Sequence, residues 1–325
     1  ADHLWRAMHH GRSRDGPLLY PAFPYPDYTL LTREDSDALH AFLRSQPAVE
    51  QANRAHALRF PYDSQLALAV WRALFFSPRA FEPQAQRSAE WNRGAYLVRG
   101  LGHCQACHAP RNAFGATQEA LALGGGLIPM QNWYAPSLAS PAEAGVQEWS
   151  IEDVVRLLRD GKSARGTAMG PMAEVVSRST RHLNEADLQA MASYLRELPR
   201  HPAAQPARVA VASDVLALGA RVYQAHCADC HGERGEGRGA AYPALAGHRT
   251  VTLASSVNLV KLILQGGFAA TTPGHPRPYG MPPFGQALSD TEVAALASFV
   301  RGTWGNQAAG VTVLDVNRLR EGGLP

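Results

Sequence analysis

The chain has 325 residues, 46% apolar and 18% charged, with a formal net charge of +3, which leaves room for two or three globular domains of about 100–150 residues. So small a charge argues against the clustered basic face of a nucleic-acid binder, and only Lys162 and Lys261 of the 31 basic residues are lysine, with arginines scattered singly as on a solvated surface. No run reaches the roughly 20 apolar residues that span a bilayer; residues 66–70 and 257–264 are too short or broken by charge, so membrane contact is expected through a partner.

The chain starts Ala1-Asp2-His3 without a basic-then-apolar leader, so a signal peptide is expected to have been removed. Leu4-Trp-Arg-Ala-Met-His-His-Gly11 predicts a short amphipathic helix stopped by glycine. Residues 31–44 predict a second helix, with Thr32 as N-cap, acidic residues in the first turn, Phe42 facing inward and Pro47 beyond the end. Met8 is expected in the core. Residues 51–87 read as a connecting segment with a helical stretch over 65–76.

The pattern then recurs twice with an added front half. Trp91-Asn-Arg-Gly94-Ala-Tyr96-Leu-Val predicts a helix running into His103-Cys104-Gln-Ala-Cys107-His108. After it come a helix over 154–160 ending at Gly161, the stretch Ala168-Met169-Gly-Pro171-Met172, and a helix over 183–196 with Asn184 as cap. Pro199–Pro206 has linker composition. The second full copy runs from Leu218-Gly219 through His226-Cys227-Ala-Asp-Cys230-His231, a helix over 259–265, Gly280-Met281-Pro-Pro-Phe284 and a helix over 288–301 capped by Ser289. Gly94 and Gly219 are expected to let the terminal helices cross closely, with Tyr194 and Phe299 against them. Residues 304–325 read as a short polar tail on the surface.

All four cysteines sit in the two C-x-x-C-H motifs. Covalent haem attachment needs two thiols to meet two vinyl groups on one porphyrin edge, and an imidazole immediately after them as proximal iron ligand. Paired zinc knuckles are the main competitor, but these pairs lie over 120 residues apart and each has its own histidine. A thioredoxin-like motif needs a βαβ context that is missing here, and disulfides across two residues would be strained. Two covalently bound haem c (heme c) groups are therefore expected, on Cys104, Cys107 and His108 and on Cys227, Cys230 and His231. A methionine thioether is expected on the far side of each iron. Met281 is the candidate in the last copy. Met172 is preferred over Met169 in the middle one, because it follows Gly-Pro and its distance from Tyr194 is nearer that of Met281 from Phe299. Phe23 stands at the equivalent place in residues 1–50 and offers no lone pair. His103 and His226 are expected to face solvent or a propionate, and Arg111, Trp133 and Arg249 are candidate propionate donors. The expected fold class is all-α: tandem cytochrome c-like domains at 88–200 and 207–303, with a partial one lacking a haem motif at 1–50. Bacterial haem c attachment happens outside the cytoplasm, which places the protein in the periplasm or on its membrane face.

Several stretches resemble the cytochrome c subunit of periplasmic membrane-bound dehydrogenases that oxidise alcohols, gluconate or fructose. They are Arg14–Tyr25, Ser88–Val98, Leu101–Asn112, Trp133-Tyr-Ala-Pro136, Gly170–Val176, Gly280–Phe284 and Trp304-Gly-Asn-Gln307. The resemblance implies three haem domains and a catalytic subunit as electron donor, with ubiquinone or a terminal oxidase or cytochrome as acceptor. This chain departs from it by lacking a first C-x-x-C-H and by carrying Phe23 where a methionine belongs. An electron-transfer subunit without a catalytic site of its own is expected. A dihaem peroxidase and a freely diffusing dihaem carrier are the alternatives, and paired distal methionines argue against the former.

Overall fold

The computed structural model describes residues 1–202, 210–239 and 241–322. The second half of the expected linker, the first residues of the expected 207–303 unit and the last three of the tail lie outside them. The chain is all-α; among the described residues the only paired strands are β1 (Gly126–Leu127) and β2 (Tyr134–Ala135), a short antiparallel ribbon. No described helix is long and apolar enough to cross a membrane.

Helix α1 (Asp2–His10) ends where Gly11 turns left-handed at φ 57°, a conformation glycine adopts without a steric penalty. After α2 (Tyr25–Tyr28), α3 (Arg33–Ser45) starts on Thr32, whose hydroxyl accepts from the Asp35 N–H. Helix α4 (Gln65–Phe75) lies across this N-terminal segment. Gln65 bonds both the N–H and the carbonyl of Leu18 at 2.7 and 3.1 Å, and Arg72 donates to the His10 carbonyl at 2.7 Å. Trp71 Nε1 donates to the Phe114 carbonyl at 2.9 Å, tying α4 to the loop that follows the first C-x-x-C-H.

Helix α5 (Ala89–Tyr96) widens into a π-helical turn at Leu97–Leu101 and leads to α6 (Gln105–His108). Then come α7 (Ile151–Asp160), α8 (Pro171–Arg178) and α9 (Glu185–Arg196), the last capped by Asn184. The order recurs as α10 (Ser213–His226), α11 (Ala228–His231), α12 (Arg249–Thr252), α13 (Val257–Gln265) and α14 (Asp290–Gly302). A reciprocal capping box of Ser289 and Glu292 opens α14. As expected, α5 crosses α9 at Gly94 and α10 crosses α14 at Gly219, with Tyr194 and Phe299 against the glycines. Helix α3 repeats the pattern with Ala38 and Phe42, but no crossing helix covers that face among the described residues. Phe42 is 62% exposed where Tyr194 is 8%.

The core gathers in two main apolar clusters, one from α5, α7 and α9 and one from α10, α13 and α14. Each fully buried Leu or Val contributes about 1.5–3 kcal/mol. The expected polar tail is different in the structure. Residues Val313–Arg320 form α15, capped by a Thr312–Asp315 box, and it buries Val316 and Leu319 in the second cluster.

Two basic residues break the expectation of a solvated surface. Lys261 is buried, donates to the Gln131 carbonyl at 2.9 Å and lies 5.2 Å over the Trp133 ring. Asn258 brackets the Tyr134 backbone at 2.9 and 2.7 Å, so α13 is fastened to the 126–135 ribbon by directional bonds. Arg301 is 1% exposed. Its guanidinium donates to the carbonyls of Ala309, Val251 and Ala254 at 2.7, 2.9 and 3.3 Å, and burial pushes its pKa down to about 10. Arg301→Ala removes the donor from the buried Val251 carbonyl and from the part-buried Ala309 and Ala254 carbonyls, at about 1–3 kcal/mol for the buried one and less for the others. The expected loss is about 3 kcal/mol or more in a denaturant titration; a loss within 0.5 kcal/mol, which is roughly the surface-substitution range, contradicts this clamp.

Candidate functional site

The π-helical turn after α5 places Cys104 at the head of α6, and α6 carries Cys107 and His108 one turn on. The following loop closes by an Arg111–Thr117 bridge. It returns through residues 123–136 so that the His108 ring Nδ1 meets the Pro136 carbonyl at 2.7 Å. A carbonyl only accepts, so Nδ1 carries the proton and Nε2 keeps its lone pair. Burial also depresses the His108 pKa, which keeps the ring neutral. The second motif is built the same way. Cys227 heads α11, the loop closes at Arg238–Tyr242, and His231 Nδ1 meets the Pro243 carbonyl at 2.9 Å.

The four cysteines form no disulfide with one another. Burial pushes Cys104 up to about 12 and Cys227 to about 11, and raises Cys107 as well. A reactive redox thiol needs the opposite shift. No three His, Cys, Asp or Glu side chains among the described residues gather as a metal cluster. The donor set at each motif is two cysteine sulfurs and one oriented imidazole, which suits thioether attachment and axial ligation.

Cys104 and Met172 pack against the same α5–α7–α9 cluster, and Cys227 and Met281 pack against the α10–α13–α14 cluster. Met172 sits on the first turn of α8, after Gly170 at φ 55° and Pro171 at the first helical position. Met169 has its Cε beside Gly267 of the neighbouring loop. The Met281 backbone is fixed to Gly267 by two hydrogen bonds of 2.9 and 3.0 Å. Met8 is buried in α1, and Phe23 packs edge-on against Tyr28 at 5.5 Å.

Of the three candidate propionate donors, Arg111 is spent on its own loop, donating to Gly115 and Ala106 carbonyls at 2.8 Å each. Trp133 packs on Gly170 beneath Lys261. Arg249 donates to the Gly145 carbonyl at 3.0 Å, and its guanidinium lies 5.2 Å over Trp149, with Arg165 5.9 Å from the same ring. Trp149 is buried and its indole N–H has no partner among the described residues. A buried donor left unpaired costs about 1–3 kcal/mol, so an acceptor belongs there, and two arginines beside it call for an anionic one. A carboxylate of the haem edge fits. The sequence pattern did not single out Trp149, since a lone tryptophan before a helix cap carries no period.

His103 packs edge-on against Tyr28 at 5.5 Å and is half-buried, and His226 meets Phe284 at 5.8 Å while exposed. The contact of His103 belongs to a larger junction: Asp27 on α2 is buried and accepts a 2.6 Å hydrogen bond from Gln105, the residue between Cys104 and Ala106. Tyr96 of α5 accepts from the Thr32 N–H at 3.1 Å and donates to Asp35 at 2.5 Å. The N-terminal segment thus rests directly on the first motif.

A family model described as "Cytochrome c" matches residues 92–199 and 216–304. The chain is 36% identical to the "Alcohol dehydrogenase (quinone), cytochrome c subunit" of Gluconacetobacter polyoxogenes, over 98% of this chain and 72% of that one. It is equally similar to the "Gluconate 2-dehydrogenase cytochrome c subunit" of Pantoea cypripedii, 36% identical over 98% and 77%. A "Diheme cytochrome c-type" protein of Cereibacter sphaeroides is 36% identical over 59% of this chain and 64% of its own.

Proposed function

The chain belongs to the cytochrome c family, and from that premise we propose that it is an electron-transfer subunit with two covalent haems, receiving electrons from a dehydrogenase catalytic subunit and passing them to ubiquinone or a terminal oxidase or cytochrome acceptor. Haem c supplies reversible one-electron chemistry at each site. The residues of the chain do the rest. Cys104 with Cys107, and Cys227 with Cys230, would hold the porphyrin edge. His108 and His231 would ligate the iron through Nε2, since the Pro136 and Pro243 carbonyls hold the other ring nitrogen, an arrangement that would also raise ligand basicity. Met172 and Met281 would supply sulfur on the far side, which favours the ferrous state. Arg249, Arg165 and Trp149 would receive the propionate edge of the first group. The apolar clusters around both sites exclude water. The relatives are named as dehydrogenase subunits, which supports the donor; periplasmic residence follows from where haem c is attached, and membrane attachment would come through a partner.

The observation that carries this reading is the repeated locking of a motif histidine by a backbone carbonyl beside two cysteines. The direct test of the relay is to co-purify the chain with its catalytic subunit in mild detergent and add the dehydrogenase substrate. The haem bands are expected to become those of the ferrous form within turnover times. Bands that stay ferric in an active complex contradict the relay.

The distal assignments have their own test in the sulfur-to-iron charge-transfer band of the ferric protein. Met172→Ala and Met281→Ala are each expected to remove about half of its intensity, one of two equivalent sites. Met169→Ala is expected to leave it intact. Loss of the band in Met169→Ala, with Met172→Ala unchanged, would reassign the ligand.

A further inference from the structure

The buried carboxylate at the junction between α2 and the first C-x-x-C-H motif has no role in holding haem, yet it sits against that motif. Asp27 is 4% exposed. Its one hydrogen-bonding side-chain partner among the described residues is the neutral Gln105 amide at 2.6 Å, and no salt bridge reaches it. Gln105 follows Cys104 directly, and the Asp27 charge acts on both Cys104 and Cys107. The nearest cations act from a distance: Arg111 is committed to its loop carbonyls, and Arg79 is clamped on Glu119 at 2.5 and 3.1 Å. Tyr28 beside it is a neutral phenol raised by burial and by Asp27 itself. Helix α1, packed on α2, carries His9, whose pKa is lowered by burial, and the turn after α5 carries Arg99. An unneutralised acid is thus walled in beside the thiol edge of one site. The other motif has Ala228 at the position of Gln105, and among the described residues no buried carboxylate lies against it.

We propose that Asp27 is a potential-tuning residue of the first haem site, coupling its reduction to proton uptake. The inference rests on haem being attached at Cys104 and Cys107. A negative charge held in low dielectric beside the site favours the ferric form and disfavours the ferrous one by the same Coulomb interaction. Linkage then runs both ways: an electron added from the partner donor raises the affinity of Asp27 for a proton, which comes from solvent, so one electron and up to one proton enter together. Desolvation already holds the carboxyl at about 6, against an ordinary 3.8, so the coupling falls near neutral pH. Below that window Asp27 is neutral in both redox states and the potential is high and flat. As pH rises through it the potential falls, and above it the potential is low and flat again.

The test is a spectroelectrochemical titration of the full holoprotein from pH 4.5 to 8. One of the two redox waves is expected to shift downward with rising pH while the other serves as an internal reference. In Asp27→Asn the shifting wave is expected to stay at its low-pH value throughout. In Gln105→Leu, which removes the bond that lowers the Asp27 pKa, the window is expected to move to higher pH. A wave that keeps its slope in Asp27→Asn overturns the proposal and assigns the proton to another group, such as a propionate; two flat waves in the parent protein overturn it as well. A purified chain with no covalent haem would instead refute attachment itself, a separate outcome.

Discussion

Replacing Cys104 and Cys107 together by alanine is expected to halve the haem content per polypeptide and to leave the second proposed site loaded. The thioether bonds need both sulfurs, while His108 stays oriented by the Pro136 carbonyl and binds free haem only weakly and reversibly. The same halving is expected for Cys227→Ala with Cys230→Ala, and all four substitutions together leave none. Measured as alkaline pyridine haemochrome per protein, the two double variants fall to about half the parent value, since each motif attaches one group. The variants also lose stability, because the ligand that fills an apolar cluster is removed and binding free energy is folding free energy. If the thiols served a zinc site or a disulfide, the haem content would not follow them.

Gly219→Val is the second large effect, and Gly94→Val should parallel it. A β-carbon on Gly219 would enter the carbonyl oxygen of Ala295 and sit 2.6 Å from Phe299 Cβ; on Gly94 it would meet the Ala190 carbonyl oxygen and Tyr194 Cβ at 2.9 Å. The obstacle in both places is helix backbone, which moves only as a whole element. The crossing has to open, and the apolar clusters on either side loosen with it. Overpacking of this kind costs about 3 kcal/mol or more, enough to lower the melting temperature by roughly 12–24 °C in a unit of about 100 residues. Gly302→Ala, at a helix end with open space around it, is the control and should leave the melting temperature unchanged. Valine tolerated at both crossings would refute the close approach.

Much of this could be read beforehand because it is periodic. The glycine stops at 11, 161 and 266, the caps at Thr32, Asn184 and Ser289, and the small-residue crossings repeat down the chain, and repetition separates a signal from chance. The haem motifs are legible for a different reason: their chemistry dictates residue type and spacing within five positions. What stayed hidden depends on contacts between distant segments. Arg44, Arg196 and Arg301 occupy the same place in three copies, yet one is exposed, one has a buried unpaired Nε, and one is a fully buried clamp. No local pattern distinguishes them. Asp27 and Gln105 lie 78 residues apart, and nothing near either announces the other. Helix α15 was legible in principle, since Thr312-Val-Leu-Asp315 is a cap followed by apolar positions, but the mixed polar residues after it masked the buried face of Val316 and Leu319. Helix α8 likewise had a proline at its first position after a positive-φ glycine.

The proposed relay requires porphyrin carbon bonded to cysteine sulfur at both motifs. Intact mass of the purified coloured protein, taken in denaturing acid, reads this directly. The mass of the polypeptide plus two haems is the predicted result. A mass equal to the bare polypeptide, with the colour lost to an organic wash, contradicts it.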